Sequence, residues 1–154
     1  MLRLLLIGLA AATRTPIVPV QAQLAIRSRV EPQLAYVPLT APAGYQYASW
    51  MAARTRPDGL TIWFRWHRAR YPGIGFSVSE GCAEAGATMK LFLFGRVRVR
   101  WSTTYTDGQA WRCVASGGRR VFFYVSAPGY GLSSSPSPRA LARMIAFARP
   151  LRRP

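Results

Sequence analysis

Two pairs of turn-forming residues in the middle of the chain constrain its fold more than any other feature. Asp107-Gly108 and Gly117-Gly118 are both strong signals for two-residue β-hairpin turns. The residues around them alternate between apolar and polar side chains, as half-buried strands do. If both turns contain two residues, Trp101 lies opposite Val114, and Val114 lies opposite Val121. We therefore expect a three-stranded antiparallel meander with a single register.

That register separates the side chains of the meander into two sets, and a slip of one residue would mix them. One face is apolar and collects Val97, Val99, Trp101, Val114, Val121, Phe123 and Val125. The other face collects arginine, aromatic and small side chains: Arg96, Arg98, Arg100, Ser102, Thr104, Trp111, Cys113, Phe122 and Tyr124. Arg112 is the exception on the apolar face, so we expect it near a sheet edge or with its guanidinium group reaching outward. The apolar face is the predicted core.

Strand patterns continue before the meander, so residues 45–132 are predicted to form one antiparallel β domain. Trp50–Thr55 and Leu60–Trp66 flank a Pro- and Gly-containing turn at residues 56–59. Met89–Phe94 is a further strand candidate, and Gly95 is interpreted as a bulge or bend after it.

Residues 133–154 are predicted to be a linker and a helix that belongs to the same domain. Ser137 is a suitable N-cap, Pro138 suits the first helical position, and Pro150 would end the helix. Apolar residues recur there at helical spacing, at Leu141, Met144, Ile145 and Ala148. The expected fold class is α+β: an antiparallel β-meander sheet of about six or seven strands, with this amphipathic helix packed on it.

The N-terminus resembles an export signal in its layout. A basic start is followed by the apolar run Leu4–Ala12, which is too short to span a bilayer, and Val20-Gln21-Ala22 is a candidate cleavage site. Residues 1–22 are therefore predicted to be a signal peptide, and the protein to be periplasmic or secreted. The alternative is an uncleaved N-terminal segment that anchors the protein to the membrane. Residues 23–44, which contain Pro32, Pro38 and Pro42, are predicted to be an extended, loosely packed lead-in.

The two cysteines, Cys82 and Cys113, agree with an exported protein. In an oxidising compartment such a pair is expected to form a disulfide, and closing this loop would contribute on the order of 3–4 kcal/mol. The alternative, if the chain is not exported, is two buried free thiols.

A candidate binding site lies on the polar face of the meander. Arg96, Arg98 and Arg100 alternate along one strand beside Trp111 and Tyr124. Guanidinium groups bind phosphate and carboxylate in bidentate fashion, and aromatic rings can stack on bases or sugars. The alternative is structural: the loop around Cys82 covers this face, the aromatics form a second small core, and the arginines are its solvated rim.

The charge of the whole chain favours an anionic partner. The 154 residues carry 21 basic and five acidic side chains, a formal net charge of +16. Twenty of the basic residues are arginine, as the codon supply of a GC-rich genome would produce without any polyanion partner. Codon supply does not explain why acidic residues are so few.

Catalytic patterns are scarce in this sequence. His67 is the single histidine, no metal-ligand spacing occurs, and there is no nucleotide-binding glycine motif. We therefore predict a non-enzyme without metal or cofactor. The first hypothesis is an exported structural or binding domain of the cell envelope that contacts lipid head groups, polysaccharide or an acidic protein. A nucleic-acid-binding module is the alternative, and a hydrolase of unrecognised type is a remote third.

Overall fold

A seven-stranded antiparallel sheet forms the centre of the protein. The computed structural model describes residues 15–53, 59–70, 73–82, 87–104, 107–129 and 136–152. In chain order the elements are α1 (Val20–Arg29), β1 (Tyr36–Val37), β2 (Tyr45–Ala53), β3 (Gly59–Trp66), β4 (Ile74–Glu80), β5 (Lys90–Phe94), β6 (Val97–Thr104), β7 (Asp107–Ser116), β8 (Arg119–Ala127), α2 (Pro138–Ala146) and β9 (Arg149–Pro150). The sheet order is β2-β3-β4-β8-β7-β6-β5, and β1 pairs with β9 in a separate two-stranded sheet. The predicted α+β class, with its antiparallel sheet and C-terminal helix, is confirmed.

The second predicted hairpin has the expected register. Val114 lies opposite Val121, and the turn residues Gly117 and Gly118 have φ angles of 59° and 77°. Positive φ at both central positions is the requirement of a type I′ turn, which glycine meets without strain.

The first predicted register is wrong by four residues. Trp101 lies opposite Ala110 and not Val114, and Asp107 and Gly108 are the first residues of β7. Thr104 lies opposite Asp107, and the two residues between them lie outside the described part of the chain. In this register Gly108 pairs with β6 on one side and with β8 on the other, so interstrand pairing outweighs the local turn preference. Because four is an even number, Trp101 and its partner Ala110 lie on the face predicted for Trp101 and Val114, and the alternation of β6 and β7 is unchanged.

Gly95 forms a hairpin turn, where the sequence predicts a bulge or bend. Phe94 lies opposite Val97, and Gly95, with φ of 61°, occupies the two-residue turn between them together with Arg96. Arg96 thus precedes β6, and only Arg98 and Arg100 of the predicted arginine row belong to that strand.

The prediction of an extended lead-in at residues 23–44 is wrong for its first part. Residues 20–29 form α1, which buries Ala22 and Ile26, and β1 follows after the buried side chain of Leu34. Pro19 precedes this helix and Pro32 follows it, so no proline interrupts it. The candidate cleavage site after Ala22 lies inside α1.

The C-terminal helix begins as predicted but ends earlier. The Ser137 hydroxyl accepts a hydrogen bond of 3.2 Å from the Ala140 amide, and Pro138 occupies the first turn. The helix ends at Ala146, so Ala148 lies outside it. The sequence predicted that the helix would continue to Pro150, but Arg149–Pro150 form β9. Pairing of β9 with β1 draws the chain away from the helix axis.

Both helices contribute to one hydrophobic core on one face of the sheet, here called the helix-covered face. Its sheet side chains include Leu60, Ile62, Phe64, Ile74, Phe76, Val78, Val99, Trp101, Ala110, Val121, Phe123 and Val125, all buried. Helix α2 adds the buried side chains of Leu141, Ala142, Met144 and Ile145. Within the described residues, no helix combines the length and the hydrophobicity needed to cross a bilayer. The opposite face, here called the arginine face, carries the candidate site.

Candidate anion-binding site

The candidate site lies where two hairpins of the sheet part. Pairing between β6 and β7 ends at Arg100 and Trp111. Beyond that pair, β6 remains bonded to β5 as far as their turn, and β7 remains bonded to β8 as far as theirs. A cavity of about 780 Å³ is lined by residues of both hairpins at this division.

Among the described residues, the lining of this cavity is strongly basic and contains no carboxylate. It consists of Cys82, Thr88, Leu91, Arg96, Arg98, Arg100, Trp111, Arg112, Cys113, Arg120 and Phe122. Five of the fifteen arginines within the described residues therefore meet at one cavity. We call Arg96, Arg98, Arg100, Arg112 and Arg120 the arginine cluster.

Four of the five predicted site residues line the cavity. Arg98 and Arg100 extend from β6 on the arginine face, and Arg96 joins them from the turn before that strand. Trp111 lines the cavity from β7, directly opposite Arg100. Tyr124 lies beside Trp111 on β8 but is not among the lining residues.

The aromatic residues of the site are packed against the protein and are not exposed to solvent. Trp111 is only 4% exposed, so neither side of its indole is open to a stacked base. Tyr124 is half-buried and stacks on Phe122, with ring centroids 5.9 Å apart. Burial, and to a lesser degree the negative charge of Asp107, raises the pKa of the Tyr124 phenol above its usual 10.0, so it is neutral at physiological pH. The aromatic residues are therefore packed as the structural alternative expects, in a second small core, whereas the arginines surround a cavity.

Sequence reasoning did not include Arg112 and Arg120 in the site. Arg120 stands two residues before Phe122, so the alternation of β8 already places it on the arginine face. The alternation of the sequence places Arg112 on the apolar face, near a sheet edge or with its guanidinium group reaching outward. It is half-exposed on β7, at a point where β6 has parted from that strand, and it lines the cavity. The alternation pattern contains no signal for this second case, because it depends on where two strands separate.

The arginine cluster has no carboxylate partner within the described residues. Both ion pairs found there belong to Arg119, whose guanidinium lies 3.3 Å from Glu31 and 3.7 Å from Glu80. Alternate residues of a strand are about 7 Å apart, and two unit charges at that distance repel each other by about 0.6 kcal/mol in water. A bound anion would relieve the repulsion between neighbouring guanidinium groups.

A disulfide closes one side of the cavity. Cys82, just after β4, is bonded to Cys113 of β7, and their Cα atoms are 5.8 Å apart. The predicted disulfide is thus present, and both cysteines are among the lining residues. The bond holds Cys82 beside the arginine cluster.

Comparison with known proteins assigns no function to this site. No family model matches the chain, and no curated protein is similar enough to it to count as a relative. In the parts of the chain that the structure describes, His, Cys, Asp and Glu side chains do not assemble in groups of three or more.

Proposed function

We propose that this protein is a small exported cationic binding domain of the cell envelope, and that its cavity binds an anionic partner. The observation that carries this proposal is the gathering of five arginines around one opening of about 780 Å³, with no carboxylate among those lining residues that the structure describes. An arginine excess due to codon supply alone would be scattered over the surface. The grouping of a third of the described arginines favours a selected site.

The chemistry of the cluster fits binding. Guanidinium groups stay protonated throughout the physiological pH range, so they bind anions without transferring protons to or from them. Their planar donor pairs match phosphate, sulfate and carboxylate groups. We therefore infer a binding role and not a catalytic one.

The packing of the aromatic residues favours charge recognition over base stacking. Single-stranded nucleic acids gain much of their affinity from exposed aromatic rings. Trp111 is nearly fully buried, and Tyr124 does not line the cavity. Envelope polyanions such as acidic polysaccharides and lipid head groups require only the positive charge, so we place them ahead of nucleic acid.

Export is supported by the disulfide. Such bonds persist in oxidising compartments and are rare in the cytosol of mesophiles. Because Val18 and Ala22 are buried in the core, we propose that residues 15–22 remain part of the exported protein. Protein isolated from its host would then have oxidised Cys82 and Cys113, and a mass that includes this segment; free thiols or a chain starting at Gln23 would contradict this.

The binding proposal is tested with heparin and polyphosphate as soluble polyanions. The triple variant Arg96→Ser, Arg98→Ser, Arg100→Ser should bind both about a hundredfold more weakly than the wild type, because charge-assisted contacts are lost. The slope of log affinity against log salt should fall by roughly 2–3, since each phosphate contact adds about 0.7–0.9 to it. Isothermal titration calorimetry at several salt concentrations measures both quantities.

A matched control removes the same charge elsewhere. Arg65, Arg68 and Arg70 are exposed, and β3, which carries Arg65 and ends shortly before the other two, is four strands or about 19 Å from β6. Their triple serine variant should keep affinity within about threefold of the wild type, as expected for distant screened charges. Equal losses in both variants would show that binding follows net charge alone and would overturn the proposed site. Tighter binding of a single-stranded oligonucleotide than of heparin would favour the nucleic-acid alternative.

A further inference from the structure

A row of exposed apolar side chains lies beside the arginine cluster. Leu91 and Leu93 are 47% and 56% exposed. They alternate along β5, the edge strand of the sheet, and therefore point to one face. We call these two residues the apolar row. Met89 precedes β5, and its sulfur accepts hydrogen bonds from Thr103.

The apolar row and the arginines share a face. Leu91 lies directly opposite Arg100, and Leu93 lies opposite Arg98, in the pairing of β5 with β6. Directly opposed residues in an antiparallel pair project to the same side, with Cβ atoms about 5 Å apart. Leu91 also lines the cavity, so the apolar row and the arginine cluster form one continuous surface.

Further cations flank the same strand. Lys90 and Arg139 line a second opening, of about 540 Å³, which also includes Leu91 and Leu93. The exposed leucines thus have cationic side chains on both sides of the edge strand.

This combination points to an amphiphilic partner. A soluble polyanion would satisfy the guanidinium groups but would leave the leucines in water. A bilayer that contains anionic phospholipids offers phosphates at the surface and hydrocarbon immediately beneath them. Apolar side chains flanked by arginines match that order of layers.

We propose that the β5 edge of the arginine face docks on the surface of an anionic phospholipid bilayer. Leu91 and Leu93 enter the interface, while Arg98 and Arg100 bind lipid phosphates. This inference rests on the proposed function, because it assigns the anionic partner of the same cluster to a class.

The experiment measures vesicle binding of the full chain by flotation. Vesicles of phosphatidylglycerol mixed with phosphatidylcholine are compared with vesicles of phosphatidylcholine alone. Wild-type protein should float with the first and not with the second. The double variant Leu91→Ser, Leu93→Ser should lose at least about tenfold in vesicle affinity, because two interfacial side chains no longer bury apolar surface. The single variant Leu93→Ser, whose substituted residue is not among those lining the anion-binding cavity, should also lose vesicle affinity, but its heparin affinity should stay within about threefold of the wild type.

A matched variant removes two leucines of similar exposure elsewhere. Leu24 of α1 and Leu39, which follows β1, are each 49% exposed. Leu24→Ser, Leu39→Ser should bind vesicles like the wild type. Circular dichroism and thermal unfolding confirm that both double variants are folded.

The outcomes separate this inference from the proposed function. Unchanged vesicle binding of Leu91→Ser, Leu93→Ser would overturn the inference. Another segment, such as the apolar run at residues 4–12, would then be responsible for membrane binding. Equal losses of vesicle and heparin affinity in Leu93→Ser would place this leucine in a soluble-ligand site and would also overturn the inference. A wild-type dimer that is lost in the leucine variant, with no effect of phosphatidylglycerol, would also overturn the inference, because the leucines would then form a dimer interface. Failure of the wild type to bind heparin, polyphosphate and vesicles would overturn the proposed function as well.

Discussion

The two faces of the central sheet share the same strands but differ in how they are covered. On the helix-covered face, Phe64, Phe76 and Val78 are fully buried under elements from both ends of the chain. On the arginine face, Arg98, Arg100 and Arg120 remain exposed around a cavity. Burial of apolar surface is the main favourable term in folding, whereas exposed charges contribute little. The comparison predicts that substitutions on the helix-covered face change the stability of the domain, whereas substitutions on the arginine face change the proposed anion binding.

The covered face is expected to show the largest effect. Phe76 is 0% exposed on β4, and Phe76→Ala should lower the free energy of unfolding by about 3–5 kcal/mol, through lost burial and a residual cavity. Urea titration measures this change.

The next residue along the strand is a control for that substitution. Ser77 points to the opposite face, where its hydroxyl lies 3.0 Å from that of Thr61. Ser77→Ala should cost only about 0.5–1.5 kcal/mol, the usual contribution of one hydrogen bond. A loss below about 1 kcal/mol in Phe76→Ala, well short of other buried phenylalanine truncations, would show that the two faces do not differ as described.

An intermediate effect is expected where the arginine face is covalently restrained. The double variant Cys82→Ser, Cys113→Ser should lose about 3 kcal/mol of stability, because a bond between residues 31 positions apart no longer restricts the unfolded chain. Reduced wild-type protein should unfold at the same urea concentration as this variant. Identical midpoints for the oxidised wild type and the variant would contradict this expectation.

The smallest effect on stability is expected from the arginines themselves. Substituting serine at residues 96, 98 and 100 together should change the free energy of unfolding by no more than about 0.5 kcal/mol at moderate salt, since these side chains are exposed and unpaired within the described chain. At low salt the variant should be slightly more stable than the wild type, because repulsion within the cluster is reduced. Urea titration at two salt concentrations provides the measurement. A loss above about 1 kcal/mol would mean that the arginines belong to the fold.

Different parts of the fold were predictable to different degrees. The β7–β8 hairpin could be derived because Gly117 and Gly118 are a strong local turn signal and the chain around them alternates cleanly. At Asp107-Gly108 the predicted pairing register was wrong by four residues, because both residues belong to β7 and Gly108 has ladder partners on both sides. Local turn preference and interstrand pairing agreed in one hairpin and competed in the other.

The candidate site was predictable in outline only. Period-2 alternation identified Arg98 and Arg100 as neighbours on one face, and it could also have identified Arg120. It could not show that Trp111 is buried or that Arg112 reaches the cavity. Both facts depend on the point at which β6 leaves β7, and contacts between distant segments decide that point.

The amino-acid sequence by itself determined which side chains share a face, where α2 begins, and that one cysteine pair was available to bond. These properties follow from neighbouring residues: alternation along an extended backbone, a serine cap before a proline, and the count of thiols. Only the tertiary structure decided the register of β6 on β7, the folding of residues 20–29 into α1, and the meeting of five arginines at one cavity. Those outcomes depend on free-energy differences between alternative packings of remote segments, which no local pattern contains.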